Sequence, residues 1–121
     1  MSNKPVIVIG HRMGDGKRTA KGIEAAGGTA ILIPGMLADM KLGDVMHENN
    51  ADLGLSFCGS GGAGALTAQN KYGYKAKSEL RSIEAACTAV EDGCKVVGLG
   101  FMDVEDLGQR LVETYRKVHG E

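Results

Sequence analysis

Leu55-Ser-Phe-Cys58-Gly-Ser-Gly-Gly-Ala-Gly-Ala65 is the stretch on which the reading of this chain turns. Asp52 to Phe57, which leads into it, is a short and mostly apolar run that predicts a buried strand delivering Cys58. Ala65 to Asn70, which leads out of it, predicts the start of a helix. Five of the chain's 19 glycines fall between Gly54 and Gly64. Glycine packed so densely beside apolar sequence signals unusual backbone angles or the close approach of a ligand. Small residues let backbone N–H groups converge, and the following helix N-terminus adds partial positive charge. An anion or oxyanion is the occupant such a turn suits, and the same field favours the thiolate of a nearby cysteine. The competing reading is a tight strand–helix turn around a structural cysteine, because free cysteine is commonly buried.

Outward from this turn the chain alternates strands and helices. Val6-Ile-Val-Ile9 is a continuous apolar run, expected as a buried parallel strand. The turn Gly10-His-Arg-Met-Gly-Asp-Gly16 follows it. A helix is predicted from Lys17 to Ala26, stopped by Gly27-Gly28. Thr29 to Ile33 reads as a second strand ended by Pro34, and residues 36–50 as helical, interrupted by Gly43. Leu80, Ile83, Cys87 and Val90 fall at spacings of three and four, one apolar helical face. Val96 to Leu99 is a fourth strand. Asp103 reads as the N-cap of a last helix with Val104, Leu107, Leu111, Tyr115 and Val118 along one side. The expected architecture is a single α/β domain over residues 1–121, a parallel sheet between two helical layers. Ligands of such sheets bind outside the carboxyl ends of the strands. The turns after Ile9, Phe57 and Leu99 then open on one mouth.

Composition narrows the function classes. The 121 residues carry a net charge of −1 and no basic block, which argues against a nucleic-acid partner. No apolar run approaches the roughly 20 residues that cross a bilayer. Met1-Ser-Asn-Lys-Pro5 runs straight into a strand, so no secretory signal is expected and a cytoplasmic location is. Cys58, Cys87 and Cys94 are an odd count without a Cys-x-x-Cys pair, so neither a disulfide framework nor a metal site is expected, and no cofactor.

Gly59-x-Gly61-x-x-Gly64 has dinucleotide spacing, but the fingerprint wants an acidic residue about 20 residues on, at the end of the next strand. Glu79 and Glu84 are predicted to lie in a helix, and the chain lacks a second mononucleotide half, so dinucleotide binding is rejected. In the first turn His11, Arg12, Lys17 and Arg18 are candidates to hold a phosphate or carboxylate, against the alternative of solvated helix-start charge. Asn70 and Lys71, closing the helix after the glycine turn, are a cap or a ligand contact. His47 and His119 read as surface residues, and Cys87 and Cys94 as inert thiols.

Cys58-Gly59-Ser60-Gly61-Gly62-Ala63, Gln69-Asn70-Lys71, Gly73-Tyr74-Lys75-Ala76 and Val96-Val97-Gly98-Leu99-Gly100-Phe101 nearly keep register with the ribose-5-phosphate isomerase B and galactose-6-phosphate isomerase group over some fifty residues. That group carries Cys-Gly-Thr-Gly-Ile-Gly, Ala-Asn-Lys, Gly-Ile-Arg-Ala and Val-Leu-Ala-Leu-Gly-Gly there. More closely, Ser56-Phe57-Cys58-Gly59-Ser60 resembles the signature of the glycine-rich SFCGS family. The resemblance implies an isomerase B-like fold, with Cys58 as the base that moves a proton between adjacent carbons. Gly59, Ser60, Gly61 and Gly62 would then line the site of the enediolate oxygens, with Ser60 beside Cys58 as the second catalytic position. It also implies a homodimer, since the related isomerases build their sites across a dimer contact. The isomerase Ser-Asp-His after the first strand is here Gly10-His11-Arg12, and the ring-opening histidine falls on Glu91. The arginines of the isomerases' C-terminal extension have no counterpart among these residues.

Three functions are consistent with this pattern. One is an aldose–ketose isomerase-like enzyme on a sugar or sugar phosphate. Another is a non-catalytic binding module for a phosphorylated metabolite, using the same anion site. The third is a phosphotransferase-system IIB-like carrier phosphorylated on Cys58, disfavoured because such carriers place the cysteine after the first strand. A second acid or base near Cys58 separates enzyme from binder, and His11 and Glu91 are the nominees.

Overall fold

Strand alternation sorts the core into two layers. Along β1 (Val6–His11), Ile7 and Ile9 turn to one side of the sheet and Val8 to the other, and all three are buried completely. The same parity runs through β3 (Leu53–Phe57) and β5 (Val96–Leu99), where Leu53, Leu55, Phe57, Val97 and Leu99 join Ile7 and Ile9. A strand buried on both faces has no polar side to show, so it reads as a continuous apolar run. The computed structural model describes residues 4–11, 16–35, 38–57, 63–100 and 103–119. Five parallel strands form one sheet in the order β2-β1-β3-β5-β4, with β2 spanning Thr29–Leu32 and β4 Ala76–Leu80. Helices α1 (Lys17–Ala25), α4 (Ile83–Glu91) and α5 (Glu105–Val118) supply Ile23, Cys87, Val90, Leu107 and Leu111 to the larger core. Helices α2 (Leu42–Asn49) and α3 (Ala63–Tyr72) cover the other face with Leu42, Met46, Ala65 and Ala68. This is the expected three-layer α/β fold.

Three predicted features are corrected. Leu80 does not belong to the helix of Ile83, Cys87 and Val90; it closes β4, and α4 starts only after the Ser82 cap, whose Oγ accepts from the Ala85 N–H at 3.0 Å. Ala76-Lys-Ser-Glu-Leu80 escapes an apolar-run criterion because β4 is an edge strand, paired only with β5 and exposing Lys77 and Glu79. Glu79 therefore lies in a strand, not a helix. Its φ of 62° marks a break in pairing between Lys77 and Leu80. The dinucleotide reading still fails, because β5 stands between β4 and β3 and separates Glu79 from the glycine turn.

The second correction is Asp103. The N-cap of α5 is Val104, which makes no side-chain cap. Asp103 instead reaches the first turn of α1, where Oδ1 accepts from both the N–H and the Oγ1 of Thr19 at 2.8 Å. The N-cap of α1 is Gly16, which has no side chain to cap with and sits at φ 73°. A Cβ there would stand 2.6 Å from Ile9 Cγ2, so glycine is required and the cap comes from 84 residues downstream. Helices α1 and α5 are pressed together at Gly22 and Gly108: a Cβ on either would collide with backbone of the other helix. Over residues 36–50, a 3-10 turn at Ala38–Lys41 precedes α2. Gly43 does not interrupt α2; it lets α3 approach, with Ala68 Cα only 3.0 Å from where its Cβ would be.

Candidate functional site

The carboxyl edge of the sheet presents a rung of four in-register residues, His11 of β1, Phe57 of β3, Leu99 of β5 and Leu80 of β4. Cys58 follows directly in the chain on Phe57, the last residue of the central strand β3. Cys58, Gly59, Ser60, Gly61, Gly62 and Arg12 lie outside the described residues. The described frame around them is β1, β3 and β5 on the sheet side, α3 beginning at Ala63, and α1 beginning at Lys17.

His11 is brought to this edge. It is 8% exposed, and its ring packs 5.1 Å from that of Phe57 at a 40° tilt. Strand parity turns it toward the α1, α4 and α5 side. Lys17 and Arg18 are exposed in the first turn of α1, which holds no acidic residue of its own. The Asp103 carboxylate occupies the Thr19 N–H of that turn, so part of this helix terminus is already satisfied from within the protein. The first turn of α3 also lacks an acidic residue. By helix geometry its leading N–H groups have no intrahelical acceptors and point back toward the carboxyl edge.

Asn70 and Lys71 are not brought to the site. Eight residues of helix at about 1.5 Å each carry Lys71 roughly 12 Å along the axis from Ala63, away from the edge. Both are exposed in the last turn of α3. There the Lys71 ammonium donates to Asp44 Oδ1 at 2.7 Å, and the Tyr72 hydroxyl donates to the same oxygen at 2.6 Å. The hydrogen bond from Lys71, then that from Tyr72, holds the Asp44 carboxyl below its ordinary range. The same bonds raise Lys71 and Tyr72 above theirs. Lys71 thus ties α3 to α2.

Glu91 also lies away from the carboxyl edge. Helix α4 runs away from the carboxyl edge after β4, and Glu91 ends it, 3.8 Å from Lys117 of α5. At this opposite pole Asp52 Oδ2 accepts from the Val6 N–H at 2.7 Å, and Oδ1 accepts from the Tyr115 hydroxyl at 3.1 Å. Burial, then the neighbouring Asp52 charge, pushes the Tyr115 phenol up to about 12. Asp52, Cys94, Tyr115 and His119 line a cavity of about 220 Å³ there. Cys87 and Cys94 are each 6% exposed, as expected of inert core thiols. Among the described residues no cluster of His, Cys, Asp and Glu could hold a metal ion, and no helix is long and apolar enough to cross a membrane.

One residue of the edge escaped the sequence reading. Ser56 is completely buried in β3, and its Oγ has no hydrogen-bond partner among the described residues. The available signal was a lone hydroxyl in the otherwise apolar run Leu53-Gly-Leu-Ser-Phe57.

Solved structures share this three-layer parallel α/β fold. Ribose-5-phosphate isomerase B from Giardia lamblia superposes with a TM-score of 0.69 at 13% identity, over 93% of this chain and 94% of that one. The Mycoplasma genitalium ribose-5-phosphate isomerase B, solved with bound ribulose-5-phosphate, gives 0.69 at 18% identity over 97% and 86%. That of Clostridium thermocellum gives 0.66 at 21% identity over 93% and 84%. The chain itself belongs to the glycine-rich SFCGS family, whose model matches residues 5–118. No curated protein matches it by sequence.

Proposed function

We propose that this protein binds a sugar phosphate at the Cys58 turn and acts on it as an aldose–ketose isomerase. The observation that carries the reading is positional. The Cys-Gly-Ser-Gly sequence falls between the central strand and α3 of a fold shared with ribose-5-phosphate isomerase B, one example of which holds ribulose-5-phosphate. In this reading the Cys58 thiolate removes the proton alpha to the substrate carbonyl. The electron pair moves into the new C–C double bond, and the carbonyl oxygen becomes the enediolate oxygen. The hydroxyl proton of the adjacent carbon passes to that oxygen, and return of the abstracted proton to the former carbonyl carbon completes the isomerisation with no external oxidant or reductant. Backbone N–H groups of Gly59, Ser60, Gly61 and Gly62 stabilise the developing oxyanion. Arg12 supports the phosphate, and His11, whose partner in register is Phe57, takes the place of the second acid–base group. A homodimer is part of the proposal.

A binding module for a phosphorylated metabolite is the second reading. It draws on Glu91, which stands where the family resemblance expects the ring-opening histidine but lies at the far end of α4 beside Lys117.

Exchange of the C1 proton of ribulose-5-phosphate and of the C2 proton of ribose-5-phosphate into D2O, followed by NMR, tests the enzyme reading. Wild type should exchange the proton, and Cys58→Ser should bind without exchanging. Binding without exchange by wild type supports the binding module. Absence of both, across a panel of pentose and hexose phosphates, overturns the proposal.

A further inference from the structure

Ser56 is a misfit by the rules that built the sheet around it. Its neighbours in β3 are Leu53, Leu55 and Phe57, all buried to within a few per cent, and Ser56 itself is 0% exposed. In register with it stand Gly10 of β1 and Gly98 of β5. Strand parity turns its side chain to the α2 and α3 side, the face on which Met46 packs over Gly54. Gly10 and Gly98 contribute no side chain to that face, and α3 covers it with the small buried residues Gly64, Ala65 and Ala68. The hydroxyl is buried with no hydrogen-bond partner among the described residues.

A hydroxyl that gives up water without gaining a partner destabilises the folded state, and an alanine would pack there without that cost. The place of the misfit is informative. The Gly10–Ser56–Gly98 rung lies one residue, about 3.3 Å, inside the edge rung of His11, Phe57 and Leu99, two residues before Cys58. Helix α3, ten residues long, opens its N-terminus at the same edge. An unmet hydroxyl at the floor of a ligand edge is suited to a partner that arrives with the ligand.

We propose that Ser56 is a ligand-contacting residue that selects polyhydroxylated phosphates. Its Oγ hydrogen-bonds a hydroxyl oxygen of the bound sugar. A serine hydroxyl donates and accepts, as a sugar hydroxyl does, whereas phosphate oxygens are served by N–H donors and cations. The inference rests on the sugar-phosphate reading and adds to it the residue that discriminates sugar phosphate from phosphate.

The test pairs stability with binding in wild type, Ser56→Ala and Ser56→Gly, the last keeping a readout if the alanine variant fails to fold. Without ligand, Ser56→Ala should melt at or above the wild-type temperature, because an unmet hydroxyl has gone. Calorimetric titration should show ribulose-5-phosphate affinity reduced about three- to tenfold, the worth of one hydrogen bond. Inorganic phosphate affinity should stay within about twofold. A lower melting temperature for Ser56→Ala overturns the inference, since the hydroxyl then has a partner inside the protein. So does unchanged ribulose-5-phosphate affinity in both variants, or a wild type that binds the two ligands equally well; in those cases sugar-phosphate binding itself survives. If wild type binds neither ligand, the sugar-phosphate reading falls and takes the role of Ser56 with it.

Discussion

Replacing Asp103 with alanine strips the first turn of α1 of its cap from a point 84 residues away in sequence. Asp103 Oδ1 accepts two hydrogen bonds at 2.8 Å, from the N–H and the Oγ1 of Thr19, and Thr19 is fully buried. Loss of a side-chain cap to alanine costs about 1 kcal/mol, up to about 2. A buried donor left unpaired adds about 1–3 kcal/mol. The two terms overlap, so Asp103→Ala should destabilise the domain by about 2–4 kcal/mol. Asp103→Asn keeps an acceptor and loses only the charge facing the helix N-terminus, so it should cost roughly 1 kcal/mol or less. Thr19→Val removes one of the two bonds and should be strongly non-additive with Asp103→Ala. Urea denaturation of wild type, the three single variants and the Thr19→Val/Asp103→Ala double variant, read by circular dichroism with m-values compared, measures this directly. An Asp103→Ala variant within about 0.5 kcal/mol of wild type, the range of ordinary surface substitutions, would refute the long-range cap. So would full additivity with Thr19→Val.

Gly108→Ala should cost about 1–3 kcal/mol by overpacking, because the new methyl meets the Thr19 carbonyl of α1; equilibrium unfolding at or above wild-type stability would contradict the packing. Tyr115 should be the last of the three tyrosines to ionise, near pH 12, in an ultraviolet titration of the phenolates. Its folded pKa lies above its unfolded value near 10, so its contribution to stability is whole below pH 10 and fades as pH climbs toward 12. Tyr115→Phe should flatten that part of the stability profile, and an unchanged profile would argue against the Asp52 bond. Timed alkylation at neutral pH should modify Cys58 before Cys87 and Cys94, which are each 6% exposed; peptide mass spectrometry showing Cys87 or Cys94 first would make Cys58 a structural thiol.

Local sequence determined the parts of this protein whose partners are interchangeable. Val6–Ile9, Leu53–Phe57 and Val96–Leu99 are legible because a strand buried on both faces must be apolar throughout, whatever packs on it. The helices at 83–91 and 105–118 are legible because one apolar stripe needs only some core to face. That the cysteine–glycine sequence stands between a strand and a helix follows from strand-then-helix order alone. Tertiary structure decided whatever depended on a particular distant partner. Ala76–Leu80 becomes a strand because β5 offers it an edge, not because its residues prefer one. Asp103 caps α1 instead of α5 because the Gly22–Gly108 contact draws the two helices together and leaves Gly16 without a cap of its own. Lys71 joins Asp44 because the length of α3 carries it away from the edge where the helix began. The isolation of Ser56 is set by Gly10 and Gly98, which lie 46 and 42 residues from it in sequence and become its neighbours only through the register of the sheet.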